Sequence, residues 1–231
     1  MFAPLKPLSS AALAGLSLTL LTGCGFDASA IQNVVSPAVK GSGVAKTESR
    51  PVADFTEIDV GGAANLEFTV GPKASLEVTT DDNLLSHVKT EVENGRLKIS
   101  IEGSVSTNLG VRLKCSAPAL KAYRGSGATT GTVTGVRSEE FRLSLRGASN
   151  CSPKGDAAKL TVDCSGASHA HALGLNSKSV KATVSGASTA EVHATEELSA
   201  DASGASTIRY AGAPAKLQKN ATAASSISPK S

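Results

Sequence analysis

Four residues in the second half of this 231-residue chain carry metal-ligating side chains at suggestive spacing: His169, His171, Glu191 and His193. Residues two apart on a strand share a face. If the chain coils with a period of about twenty residues, Glu191 and His193 return to the outward face that holds His169 and His171. Imidazoles and a carboxylate so placed hold a divalent ion when a supporting shell orients them. No such shell or spaced ligand motif is present, so solvated outer-face residues are expected and no resident metal. Asp163 and Asp201 form a second constellation, at one phase two coils apart with Thr183 between them. At about 4.8 Å per coil they stand about 10 Å apart, near the carboxylate separation of inverting glycosidases. That chemistry needs a groove that raises one carboxyl pKa, and nothing in the sequence marks one, so no catalytic residue is assigned. Beyond Cys24 the chain has three cysteines, Cys115, Cys151 and Cys164. Cys164 occupies an inward position, and Cys151 lies at a different phase, so buried thiols are expected rather than a disulfide.

Composition narrows the classes further. The chain has 23 Lys+Arg against 20 Asp+Glu, a net charge of +3, and no basic stripe. Nucleic acid is therefore not a partner class. Aromatic residues make up 3%, with no Trp, which argues against a sugar-stacking platform. The glycines close strands and do not open helices, so they form no phosphate loop, and no cofactor is implied.

The elements that position these residues come from an internal repeat. Four-residue turns centred on Gly127, Gly147, Gly166, Gly186 and Gly204 recur at spacings of 20, 19, 20 and 18, mostly as Ser-Gly-Ala-Ser. A decayed copy, Thr222-Ala223-Ala224-Ser225, follows. Before each turn the chain alternates apolar and polar, as in Phe141, Leu143, Leu145 and Leu160, Val162, Cys164. After the turns the inward candidates are Cys151, Ala170, Ala172, Ala190, Val192, Ile208 and Tyr210. Period-two alternation describes strands buried on one face. Each coil cannot bury its apolar face alone, and stacking makes a thin continuous core. The expected fold is all-β, a parallel β-helix or solenoid-like stack of about 20-residue coils. The last copy, with Ala223 for Gly and Lys219 inward, reads as a cap over residues up to 226, and 227–231 as a tail.

The N-terminal half is more irregular. Residues 55–60, 65–70, 75–79 and 96–101 alternate as strands, 84–92 reads as one short helix, and Asn94-Gly95 marks a tight turn. This gives a β-rich part over 51–118 and the solenoid repeats over 119–226, with a boundary near Pro118 and both parts free to share one sheet system. Residues 1–23 read as a signal peptide: Lys6 supplies the positive region and Ala11 to Leu21 an apolar run too short to span a bilayer. Leu21-Thr22-Gly23-Cys24 resembles the bacterial lipobox. That resemblance implies lipidation of Cys24, palmitate on the new N-terminus, and a membrane tether over 24–50. Gly25 after the cysteine points to the outer membrane of a Gram-negative cell.

Gly41-Ser42-Gly43 with Arg50-Pro51, Phe55-Thr56-Glu57-Ile58-Asp59-Val60-Gly61, Asn83-Leu84-Leu85, Asn94-Gly95-Arg96-Leu97-Lys98-Ile99 and the Ser-Gly-Ala-Ser series complete the picture. Over about residues 40–226 they resemble the bacterial family called putative auto-transporter adhesin, head GIN domain. The resemblance implies a β-helical envelope protein that meets a surface polysaccharide or protein ligand without catalysis. A carbohydrate-active or carbohydrate-binding protein using Asp163 and Asp201, or a structural envelope component, are the alternatives.

Overall fold

The computed structural model describes residues 37–230; the lipobox and Cys24 lie outside the described residues. Strands dominate, and about five solenoid turns stack from the repeats. The chain begins with β1 (Val39–Lys40), β2 (Ala45–Arg50), β3 (Glu57–Val60), β4 (Ala64–Val70) and β5 (Ser75–Asp81). A 3-10 helix (Asp82–His87) leads to β6 (Val88–Glu93), β7 (Arg96–Ile101), β8 (Val105–Ser106), β9 (Val111–Ala117) and β10 (Ala122–Gly125). The repeats follow as long strands that bend around the coil: β11 (Thr130–Leu145), β12 (Asn150–Cys164), β13 (His169–Val184) and β14 (Thr189–Ala202). The last coil is β15 (Thr207–Ala211), β16 (Lys216–Ala221) and β17 (Ser226–Pro229).

All but β1 and β8 join one 15-stranded sheet that wraps the core as two walls. The first wall stacks β7, β3, β10 and the second halves of β11 to β14, then β16. The second stacks β9, β4, the first halves of β11 to β14, β15 and β17. Every inward candidate named above is buried except Lys219, which is exposed because no further rung stacks on the end coil. The stacking order differs from the chain order in one respect. The β3–β4 rung lies between the later β7–β9 rung and the still later β10–β11 rung. One sheet therefore holds strands from both sides of residue 118, which itself lies in the bend between β9 and β10.

The first stacked rung is closed by antiparallel strands, which turn parallel stacking into an ending. β6 pairs antiparallel to β7, and β5, flanked by β2, pairs antiparallel to β9. The 3-10 helix passes between these two caps and buries Leu84 and Leu85. The expected helix over 84–92 stops at His87 because Val88, Thr90 and Val92 belong to a hairpin. Asn94 (φ 51) and Gly95 (φ 72) supply its two left-handed turn residues. Residues 39–40 and 45–50, expected in the tether, are bound into sheet, and so are residues 227–229, expected in the tail.

The turn glycines form a ladder of their own. Gly166 has φ +84, and a Cβ there would lie 2.7 Å from the Gly147 carbonyl oxygen. The same closeness recurs at Gly127, Gly147, Gly186 and Gly204. Glycine is needed for rung contact as well as for backbone conformation. The ladder starts earlier than the repeats suggest. Gly127 stacks on Gly62, and the Ala128 N–H donates to Gly62 O at 2.8 Å, the bond that Ala148, Ala167, Ala187 and Ala205 repeat. Thus Gly61-Gly62-Ala63-Ala64 is another turn copy. Beside the glycines, Ser149, Ser168, Ser188, Ser206 and Thr129 are buried in a column. Ser149 Oγ donates to Arg146 O at 2.8 Å and Ser168 Oγ to Ser165 O at 3.2 Å, which satisfies turn carbonyls.

Candidate functional site

The second wall carries the widest exposed face. Counting β2 and β5, ten strands lie side by side, or about 43 Å at about 4.8 Å per strand. One outward row across them reads Thr47, Thr79, Arg112, Asn65, Thr130, Asn150, His169, Thr189, Thr207, Ser226. Every member is polar and none is buried. At the N-terminal end of this face Glu67, Glu77, Arg112 and Lys114 surround a shallow concavity of about 490 Å³.

His171, Glu191 and Arg209 stand in the neighbouring row. His171 Nδ1 lies 3.4 Å from Glu191 Oε2, and the His169 and His171 rings stack at 6.1 Å. Glu191 is the hub, with Lys230 Nζ at 2.8 Å and Arg209 Nη1 at 3.8 Å. The Lys230 hydrogen bond, followed by that of His171, holds the Glu191 carboxyl below its ordinary range, against partial burial. His193 does not join them. A register shift after Ala172 sets it opposite Asn176, around the corner of the coil. Among the described residues no group of three His, Cys, Asp or Glu side chains is placed to hold a metal ion. The cationic partners of Glu191 give that site an ion-pair network.

On the first wall Asp163, Thr183 and Asp201 do share one column. Asp163 lines a small concavity of about 260 Å³ with Ser144, Arg146 and Thr183; Asp201 does not line it and accepts from Asn220 Nδ2 at 3.3 Å. The two carboxylates, Asp163 exposed and Asp201 half-buried, stand two rungs apart and do not converge on one cleft. Further along this wall Glu57 Oε2 takes Arg96 Nη2 at 2.9 Å and Arg124 Nη1 at 2.8 Å, bridging three rungs. Inside the core Cys115, Cys151 and Cys164 are free buried thiols. Burial pushes Cys115 and Cys164 up to about 12 and Cys151 higher still. None is a nucleophile at neutral pH.

A fixture that sequence reasoning did not foresee holds the N-terminal segment. The Gly43 N–H donates to Asp81 Oδ1 at 2.6 Å, and the Thr107 hydroxyl donates to Asp81 Oδ2. Ser42 N donates to Asn83 Oδ1 at 2.9 Å, and Asn83 Nδ2 returns to Lys40 O at 2.9 Å. Arg50 donates to the carbonyls of Leu85 and Val88. The Gly-Ser-Gly and Arg-Pro motifs therefore bolt residues 40–50 to the cap. The only sequence signal for this was the clustering of Gly41, Gly43 and Asp81-Asp82-Asn83.

Comparison with solved structures places the fold. A structure from Bacteroides fragilis called a putative adhesin shares 19% identity, with a TM-score of 0.70 over 84% of this chain and 100% of that one. One from Parabacteroides distasonis, also called a putative adhesin, shares 23% identity at a TM-score of 0.55, covering 84% and 100%. Another from that organism, called a putative lipid binding protein, shares 20% at 0.54, again covering 84% and 100%. No curated protein matches the sequence. The family profile described as putative auto-transporter adhesin, head GIN domain, matches residues 54–214. That span runs from just before β3 to the end of the last regular coil, rungs and glycine ladder included, and the chain belongs to this family.

Proposed function

We propose that the protein is a lipid-anchored envelope adhesion module without enzymatic activity. Its head presents flat polar solenoid faces to a surface ligand, a polysaccharide or a protein. The observation that carries this reading is the second-wall face: ten strands wide, with an unbroken outward row of polar side chains. Such a face suits broad, shallow contact, and adhesion is the role the family name gives. The anchor rests on Leu21-Thr22-Gly23-Cys24, with Cys24 acylated and the head held at the outer membrane of a Gram-negative cell by two or more acyl chains.

Two experiments test the reading. Cells expressing the protein should adhere to a host or abiotic surface more than cells lacking it, and soluble protein should compete. Equal adherence by both strains overturns the adhesion role. Cys24→Ser should abolish incorporation of a palmitate analogue and release the protein from the membrane fraction. Retention of label and fractionation would overturn the anchor.

A further inference from the structure

At the corner between the two walls the coil has a third, short face. There Arg137, Asp156 and Asn176 pair in register on successive rungs, and so do Ser138, Ala157 and Ser177 beside them. The first column is exposed, whereas Ala157 and Ser177 are buried. On the far side Glu139, Ala158 and Lys178 rise again. A recessed row of small residues between two raised rows is a groove along the solenoid axis, and its volume is about 560 Å³.

The polar groups of this groove are incompletely used. Ser138 Oγ is buried without a hydrogen-bond partner. Ser177 Oγ has only a 3.5 Å contact to Leu175 O. Asn176 Nδ2 donates to Asp156 Oδ1 at 3.2 Å, which leaves the Asn176 carbonyl and the second Asp156 oxygen open. Arg137 makes no ion pair among the described residues. An orphaned buried hydroxyl costs free energy unless a ligand or water meets it.

We propose that this corner groove binds an uncharged glycan chain running along the solenoid axis, with Arg137, Asp156 and Asn176 as its recognition ladder. Guanidinium, carboxylate and amide are planar groups with two polar atoms side by side, the geometry that meets a vicinal diol with two hydrogen bonds. They repeat at the rung spacing of about 4.8 Å, close to the repeat of a sugar in an extended chain. Arg137 and Lys178 balance Glu139 and Asp156, so the groove attracts no net charge. The floor of Ala157, Ser177 and Ser138 is low enough to admit a sugar ring edge-on. A peptide fits poorly. The rungs here are paired on both sides and offer no free strand edge, and no aromatic or large apolar pocket is present to anchor a side chain. The inference rests on the adhesion reading for its setting and names a ligand class for it.

The test is calorimetry on the full-length protein in detergent with cellohexaose, mannohexaose, isomaltohexaose and chitohexaose, and a hyaluronan hexasaccharide as the anionic arm. At least one neutral hexasaccharide should bind saturably. The double variant Asp156→Ala/Asn176→Ala should weaken it tenfold or more, and Ala158→Gln, which fills the groove from its other flank, should do the same. Asp163→Ala on the first wall should leave affinity unchanged. All four positions are at least partly solvent-exposed, and unchanged circular dichroism confirms folding. Binding of none of the neutral hexasaccharides, preference for hyaluronan, or affinity within twofold in the double variant overturns the proposal. Cell retention separates it from the adhesion role. If no neutral hexasaccharide binds but the immobilised wild type retains cells, the glycan groove falls and adhesion stands. If a hexasaccharide binds but cells are not retained, the groove stands and adhesion falls.

Discussion

A Cβ on Gly131 would lie 2.5 Å from the hydroxyl oxygen of Tyr123. The two residues belong to one turn of the coil, on opposite walls, and together fill a core slot that Leu66 and Cys151 fill on neighbouring rungs of the second wall. A ring facing an absent side chain keeps the tube at constant width. The Tyr123 hydroxyl is buried with no hydrogen-bond partner of normal geometry, and Thr129 Oγ1 beside it is likewise unpartnered.

Gly131→Ala should therefore destabilise the head by about 1–3 kcal/mol through overpacking against a ring that cannot retreat. Tyr123→Phe should leave stability unchanged or raise it by about 1 kcal/mol, because it removes a desolvated hydroxyl that bonds to nothing. Urea unfolding midpoints of the two variants should move in opposite directions, or only the first should move.

Ala223 occupies the turn position that six glycines, Gly62 included, hold before it, at φ 58. The bond that an Ala224 N–H would make to Gly204 O is missing from the series among the described residues, as expected when a Cβ stands where the other rungs have none. Ala223→Gly should stabilise the terminal rung by about 1 kcal/mol by removing left-handed strain. Gly166→Ala should cost more than that, since its Cβ meets backbone that cannot shift. Hydrogen exchange of β16 and β17 against global unfolding distinguishes the two effects.

The buried thiols make stability fall in alkali. In the unfolded chain cysteines ionise near about 8.5, whereas in the fold Cys115 and Cys164 keep their protons to about 12. Above that unfolded value the native state holds more protons, so stability is fully present below it and is lost as pH rises toward 12. The urea midpoint should decline between about pH 9 and 11, and less steeply in a Cys115→Ala/Cys151→Ala/Cys164→Ala variant. Native thiols at neutral pH should not react with a thiol reagent.

At the acid end Asp81 is one of the carboxyls whose contribution is lost. The Thr107 hydroxyl first, and the Gly43 N–H second, hold its carboxyl below the usual range. Its stabilisation is present above about pH 3.9 and disappears as pH falls through the lower folded value. Asp81→Asn at neutral pH should reproduce the acid effect. Amides of residues 39–46 should exchange faster while those of β11 to β14 stay protected, and uniform protection would refute it.

Both walls and their inward faces could be read from the sequence because period-two alternation is anchored at each turn glycine, so phase counts hold over the next six residues in either direction. They fail past the corner. Register shifts near Thr134, Cys151 and Ala172 move Asn176 and His193 to a third face, and counting from Gly186 kept His193 beside Glu191. The Gly62 copy was hidden for a different reason: it stands 65 residues before Gly127, with the cap and another rung inserted between. β2 and the end of β17 were missed because they bury almost nothing, and without a buried face a strand has no alternation to show.

The displaced β3–β4 rung also dictates an order of assembly. A chain delivered from its N-terminus, by a ribosome or through a translocation pore, releases residues 57–70 well before either flanking rung exists. These strands must wait, both edges unpaired, for residues 96–117 to form on one side and 122–134 on the other. From there on, each new coil adds to a finished template, as a zipper closes. Truncation after residue 202 should cost one coil, but truncation after residue 117 should leave no nucleus to grow from.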